Sequence, residues 1–145
     1  MTTKTAQIFA TGCPYDNLCQ TKATRVLFVC SVGMLRSPTA QMVATGFGLN
    51  ARAAGSDVEI ALIPMSCNLI DWAEHIVFMT QSNRDDAIRT FKIIDDYAEQ
   101  IKRKGQVWNV PDNYNWGDNV LWTILHEKMK VFCDSITDGN STQPT

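Results

Sequence analysis

The sequence predicts an α/β fold: a three-layer domain with a four-stranded parallel sheet and helices on both faces. Two observations carry this. Short apolar runs at 25–30 and 75–79 read as strands buried on both faces, because a half-exposed strand would alternate with polar residues. Between them lie stretches with apolar residues three and four apart, such as Ile88, Phe91, Ile94, Ala98 and Ile101, the spacing of one helix face. Strands and helices in alternation imply crossover connections and hence a parallel sheet.

Each element follows in order. Residues 1–23 are rich in Thr and carry the turn formers Gly12, Pro14, Asp16 and Asn17, so they read as an extension preceding a domain at 24–137. The first strand is 25–30. Pro38 opens a helical run that Gly46 and Gly48 end. A weak second strand at 51–54, a loop at 57–66 and a short helix at 67–73 come next. After the strand at 75–79, one long helix is expected over about 82–104, with Lys102, Arg103 and Lys104 as a cationic last turn before Gly105. The fourth strand is 107–110. The last helix spans about 118–136, its apolar side formed by Val120, Leu121, Ile124, Leu125, Met129 and Phe132, and 138–145 reads as a flexible tail. Trp72, Trp108 and Trp122 are expected in the core.

The chain has 145 residues, 45% apolar and 19% charged, with a net charge of −2. That is enough chain to bury a core without disulfides or metals. No basic stripe marks a nucleic-acid partner. Five cysteines, at 13, 19, 30, 67 and 133, are an odd number and do not form a secreted disulfide framework. Free thiols fit a reducing cytosol. The N-terminus lacks an apolar leader segment, and no apolar run approaches the roughly 18 residues of a membrane span. The expectation is a cytoplasmic protein without a membrane partner. His75 and His126 have no partner at metal-ligand spacing, and Cys13 and Cys19 lack a second ligand pair, so neither a metal nor another cofactor is expected. Cys67 and Cys133 read as small buried apolar residues.

The chemistry concentrates at Cys30-Ser31-Val32-Gly33-Met34-Leu35-Arg36-Ser37-Pro38. This segment leaves a strand and enters a helix N-terminus, where successive backbone N–H groups and the helix dipole favour a tetrahedral oxyanion. Gly33 permits the positive φ that a tight loop needs. Arg36 supplies a planar, permanently charged fork for two phosphoryl oxygens. A cysteine at the base of such a cradle is a nucleophile in its thiolate form. Ser37 is placed to donate a hydrogen bond to that sulfur. Phosphoryl transfer also needs a proton for the leaving oxygen. Asp112, just after the fourth strand, is the favoured general acid, and Asp118 competes with it, although Asp118 also stands where a helix cap belongs. Tyr114 and Trp116 are candidate walls of the cleft.

These residues resemble the low-molecular-weight protein tyrosine phosphatase family. That family carries Cys-x5-Arg-Ser-Pro near its N-terminus and an Asp-Pro-Tyr-Tyr-type acid loop near its end. Cys30, Arg36, Ser37 and Pro38 match the first, and Asp112 and Tyr114 the second. Ala54-Gly55 and the segment 73–80 resemble its second and third strands. The resemblance covers about 24–136 and implies metal-free hydrolysis of a phosphorylated protein or a small phosphomonoester. It implies roles for Cys30, Arg36 and Asp112 in catalysis, and for Ser31, Val32, Gly33, Met34, Leu35, Ser37, Tyr114 and Trp116 in substrate binding. Three departures stand out. Gly33 replaces the family's usual Asn, Leu35 stands where many members have a second cysteine, and Asn113 replaces Pro. The spacing from Cys30 to Asp112 is that of a compact bacterial subgroup. Two other readings stay open at this level. One is an arsenate reductase, which needs two further cysteines to relay a disulfide. The other is a non-catalytic phosphate-binding module, which needs neither nucleophile nor acid.

Overall fold

The computed structural model describes residues 23–115 and 117–141. Four strands, β1 (Arg25–Cys30), β2 (Asn50–Gly55), β3 (His75–Phe78) and β4 (Gly105–Val107), form one parallel sheet in the order β2-β1-β3-β4. Five helices accompany them: α1 (Arg36–Gly46), α2 (Cys67–Trp72), α3 (Gln81–Phe91), α4 (Tyr97–Lys104) and α5 (Asn119–Ser141). The chain steps outward from β1 to β2, then crosses back to β3 and on to β4. Right-handed crossovers in opposite directions put their helices on opposite faces. Thus α1 lies on one face with α5, and α2, α3 and α4 lie on the other.

Side-chain alternation along the strands feeds both faces. Val26, Phe28 and Cys30 of β1 join Val43, Ala44, Leu121, Leu125, Met129 and Phe132 in one core. Leu27 and Val29 join Ile70, Trp72, Ala87, Phe91 and Ile101 in the other. Residues 26–29 are wholly buried, as the uniformly apolar run requires. The predicted class, strand number and helical layers are therefore all observed.

The boundaries differ most in three places. The expected helix over 82–104 is two helices, interrupted where Asp95 takes a positive φ of 42°. The run Ile93-Ile94-Asp95-Asp96 joins two β-branched residues to two aspartates, all weak helix formers. Ile93 is accordingly left in solvent, while Ile101 beyond the break returns to the core. β4 begins at Gly105 rather than 107, because the chain turns from α4 straight into the strand. A side chain at Gly105 would collide with the Ile101 carbonyl. Beyond β4 the amides of Trp108 and Val110 still bond the carbonyls of Phe78 and Met79, so the ladder's hydrogen bonding runs to 110. α5 continues to Ser141, past its expected end and into the segment read as a tail, because extending an anchored helix adds one hydrogen bond per residue fixed.

Trp72 and Trp108 are buried, but Trp122 is not. It sits one residue, or about 100°, around the helix from Leu121, and so flanks the apolar stripe instead of lying in it. The expected extension at 1–23 lies almost wholly outside the described residues, with only Ala23 inside.

Gly55 ends β2 against the loop that follows β1. A Cβ there would stand 2.5 Å from Ala61 Cβ and 2.7 Å from the Ser31 carbonyl oxygen. Gly55→Ala is therefore expected to destabilise the domain by about 1–3 kcal/mol, the usual cost of overpacking. Urea denaturation checks this, and a variant as stable as wild type contradicts the packing described.

Candidate active site

The carboxyl ends of all four strands meet at one edge of the sheet. β1 is the central strand from which connections depart in both directions, the switch point where α/β folds open a crevice. Cys30 is its last residue. The segment 31–35 leaves this crevice and enters α1.

The conformation of that segment is fixed by what holds its carbonyls. Those of Cys30, Ser31 and Val32 accept hydrogen bonds from the amides of Ser56 (2.8 Å), Asp57 (2.9 Å) and Leu62 (3.0 Å). A trans peptide unit points its N–H opposite its carbonyl. The amides of Ser31, Val32 and Gly33 therefore turn to the other side, and the Gly33 N–H reaches Cys30 Sγ at 3.2 Å. Gly33 adopts a φ of 74° and presses against the backbone of Ala54 and Gly55, so it meets both demands made of it. The amides of Ser31, Val32, Met34 and Leu35 donate to no acceptor among the described residues. Among the described residues no side chain caps α1, and its first turn holds no acidic residue. Unused N–H donors and an uncapped helix N-terminus thus lie within one short loop, the features of an anion site.

Cys30 is buried, and its sulfur lies 3.1 Å from Ser37 Oγ. That hydroxyl also lies 3.3 Å from the Ala54 carbonyl oxygen. With one proton to give, Ser37 donates to Ala54 when the sulfur is a thiol, and turns its proton to the sulfur when it is a thiolate.

Arg36, only 3% exposed, extends from the first turn of α1 beneath the loop after β4. Its Nη1 donates to the Val110 carbonyl at 3.0 Å. Its Nε lies 3.4 Å from Asp112 Oδ1 but makes no hydrogen bond among the described residues. A buried guanidinium with an unused N–H is an open donor for an oxyanion. Asp112 itself is largely exposed, with 63% of its side chain accessible, at the mouth of the crevice.

The sequence-predicted residues thus fall into distinct groups. Cys30, Ser31, Val32, Gly33, Ser37 and Arg36 build the cradle, and Asp112 joins it through Arg36. Met34 is exposed at the loop tip, Leu35 packs partly into the α1–α5 core, and Tyr114 is half-buried against that core. Trp116 lies outside the described residues. Asp118 accepts the Val120 amide at 2.7 Å and so caps α5. Sequence reasoning missed Asn83. Its carboxamide is buried and donates to Ser31 Oγ at 3.1 Å. Its only signal in the sequence is its position three residues after Thr80, the spacing of a helix capping box.

The other titratable groups stand apart. His75 packs edge-on against Phe132, and burial lowers its pKa, which favours the neutral ring. His126 stacks near Phe47. Cys67 packs with one core and Cys133 with the other, so the sheet separates them. Both are half-buried rather than buried, since each flanks its helix's core face. Burial raises the Cys133 pKa, which keeps it a thiol. A relay of closely spaced cysteines is absent among the described residues. No group of His, Cys, Asp or Glu among them is arranged to hold a metal ion. No described helix is long and apolar enough to cross a membrane.

Comparison of the whole fold with solved structures is decisive for the architecture. The YwlE arginine phosphatase from Geobacillus stearothermophilus superposes with a TM-score of 0.66 at 18% identity, over 84% of this chain and 99% of that one. The fold is that of the low-molecular-weight protein tyrosine phosphatases. A member of that group from Bacillus subtilis matches with a TM-score of 0.62 at 19% identity, over 79% of this chain and 98% of the other. A protein tyrosine phosphatase from Entamoeba histolytica matches with a TM-score of 0.61 at 18% identity, over 81% and 99% respectively. No family model and no curated protein matches the sequence. The fold is thus shared at a sequence identity of only 18–19%.

Because Asp118 caps α5, Asp118→Ala is expected to cost about 0.5–2 kcal/mol of stability. Thermal or urea unfolding checks this, and no loss would mean the cap is not used.

Proposed function

We propose that this chain is a cysteine-dependent phosphomonoesterase acting on phosphotyrosine in proteins, through a thiophosphate intermediate on Cys30. One observation carries the reading. Ser37 Oγ and the Gly33 N–H both converge on Cys30 Sγ, at an uncapped helix N-terminus with an unbonded, buried Arg36 Nε beside it. A binding module needs the anion site but not a sulfur at its base within hydrogen-bond distance of both a hydroxyl and an amide.

The steps follow from these positions. Phosphate oxygens take the free loop amides and the Arg36 fork, which charges the site against the developing transition state. The Cys30 thiolate attacks phosphorus, the S–P bond forms, and the P–O bond to the leaving group breaks. The Asp112 carboxyl gives that oxygen its proton. Water then attacks phosphorus, the Asp112 carboxylate takes the water's proton, and the S–P bond breaks. Ser37 donates to the departing thiolate, and inorganic phosphate leaves. Tyr114, two residues beyond Asp112 and only half-buried against the core, is the aromatic residue we assign to a flat leaving group, which favours phosphotyrosine over aliphatic esters. A nucleophilic thiol without a partner cysteine in its loop fits work in the reducing cytosol.

Turnover of para-nitrophenyl phosphate without added metal, blocked by vanadate, is the expected result, and Cys30→Ser is expected to abolish it while phosphate still binds. Retained activity in Cys30→Ser contradicts the mechanism. Asp112→Ala is expected to slow phosphotyrosine hydrolysis by about 10²-fold or more, and an activated ester with a good leaving group far less. Equal losses on both substrates remove Asp112 from the acid role. A panel including phosphoarginine and phosphoserine tests the substrate class. Preference for either over phosphotyrosine overturns that part of the reading.

A further inference from the structure

The loop around Cys30 has glycine at its third position, so it has no side chain of its own there to brace it. A buried carboxamide from a different element reaches in beside it. Asn83 lies in the first turn of α3, just past the end of β3, and is 1% exposed. Its Oδ1 accepts the Thr80 amide at 3.2 Å, which closes the cap of α3. That bond needs no Nδ2. Nδ2 instead donates to Ser31 Oγ at 3.1 Å and lies 3.4 Å from Ser56 Oγ. Ser31 follows the nucleophile directly. Ser56 is the residue whose amide holds the Cys30 carbonyl. One side chain therefore ties together the ends of β1, β2 and β3 at the residues that turn the loop amides inward.

We infer that Asn83 is a positioning residue for the anion cradle, acting through Ser31 and Ser56. The inference rests on the reading of this cradle as the phosphoryl site. The two halves of the carboxamide have separable tasks, Oδ1 for the helix cap and Nδ2 for the loop. Asn83→Asp keeps an acceptor for the cap and removes the donor to the serines. Ser31→Ala removes the loop's acceptor and leaves the cap intact. Thr80→Ala weakens the cap, since Thr80 Oγ1 accepts the Asn83 amide at 3.3 Å, and leaves Nδ2 in place.

The test measures kcat and KM on para-nitrophenyl phosphate, normalised to titrated active sites, beside protection of Cys30 from iodoacetamide by inorganic phosphate. Asn83→Asp and Asn83→Ala are expected to lose about 10- to 100-fold in kcat/KM and to need more phosphate for protection. Ser31→Ala should lose part of this, and Asn83→Ala combined with Ser31→Ala should lose less than the two single effects multiplied. Thr80→Ala should melt at a lower temperature yet keep kcat/KM per active site. Wild-type kcat/KM and phosphate protection in both Asn83 variants overturn the inference, and so do fully multiplicative effects with Ser31→Ala. If wild type turns over no phosphomonoester but Asn83→Ala still weakens phosphate protection, the positioning role stands and the phosphatase reading fails.

Discussion

Peptide geometry at three consecutive residues is the constraint on which the rest of this site depends. The carbonyls of Cys30, Ser31 and Val32 are held by amides from the segment after β2, and each bond commits the following N–H to the opposite direction. The result is a concavity lined with donors at the end of the central strand, with sulfur at its floor. It explains why Gly55 has no room for a side chain and why Gly33 takes a left-handed conformation. Neither glycine offers a side chain to the site. Both are required because two backbones must approach closely for the amides to face inward.

The second element of the site comes from the far end of the sheet. Arg36 runs from α1 under the loop after β4, where it holds the Val110 carbonyl and faces Asp112. Burying a guanidinium is costly unless its N–H groups are used. Here one is used by the backbone, while Nε faces the Asp112 carboxylate at 3.4 Å without a hydrogen bond. In the proposed mechanism a phosphoryl oxygen would be the acceptor for that N–H, held between the two loops. Pairing across 76 residues of chain, from Arg36 to Asp112, arises because the sheet brings β1 and β4 to one edge on either side of β3.

Much of this was legible in the sequence because it follows from local rules. A short uninterrupted apolar run rich in β-branched residues is the pattern of a strand covered on both faces, and β1 is one. Cys30, Gly33, Arg36 and Ser37 are adjacent in the chain, so a single loop carries their relation. The break at 92–96 was hidden because Ile94 keeps the helical spacing, while the two aspartates beside it oppose continuation. Trp122 was misplaced because an aromatic residue next to an apolar stripe looks like part of it until the helical angle is counted. Asn83 was invisible for a different reason. Its importance lies in contacts to Ser31 and Ser56, and neither contact leaves a pattern along the chain.

The central claim is that Cys30 accepts the phosphoryl group covalently. The most direct measurement is to quench the protein in acid during turnover of an aryl phosphate, then locate phosphate on its peptides by mass spectrometry. Phosphate on Cys30 is expected, with the amount rising when dephosphorylation is slowed by Asp112→Ala. Turnover with no phosphorylated Cys30 at any quench time, or with phosphate on another residue, would contradict it.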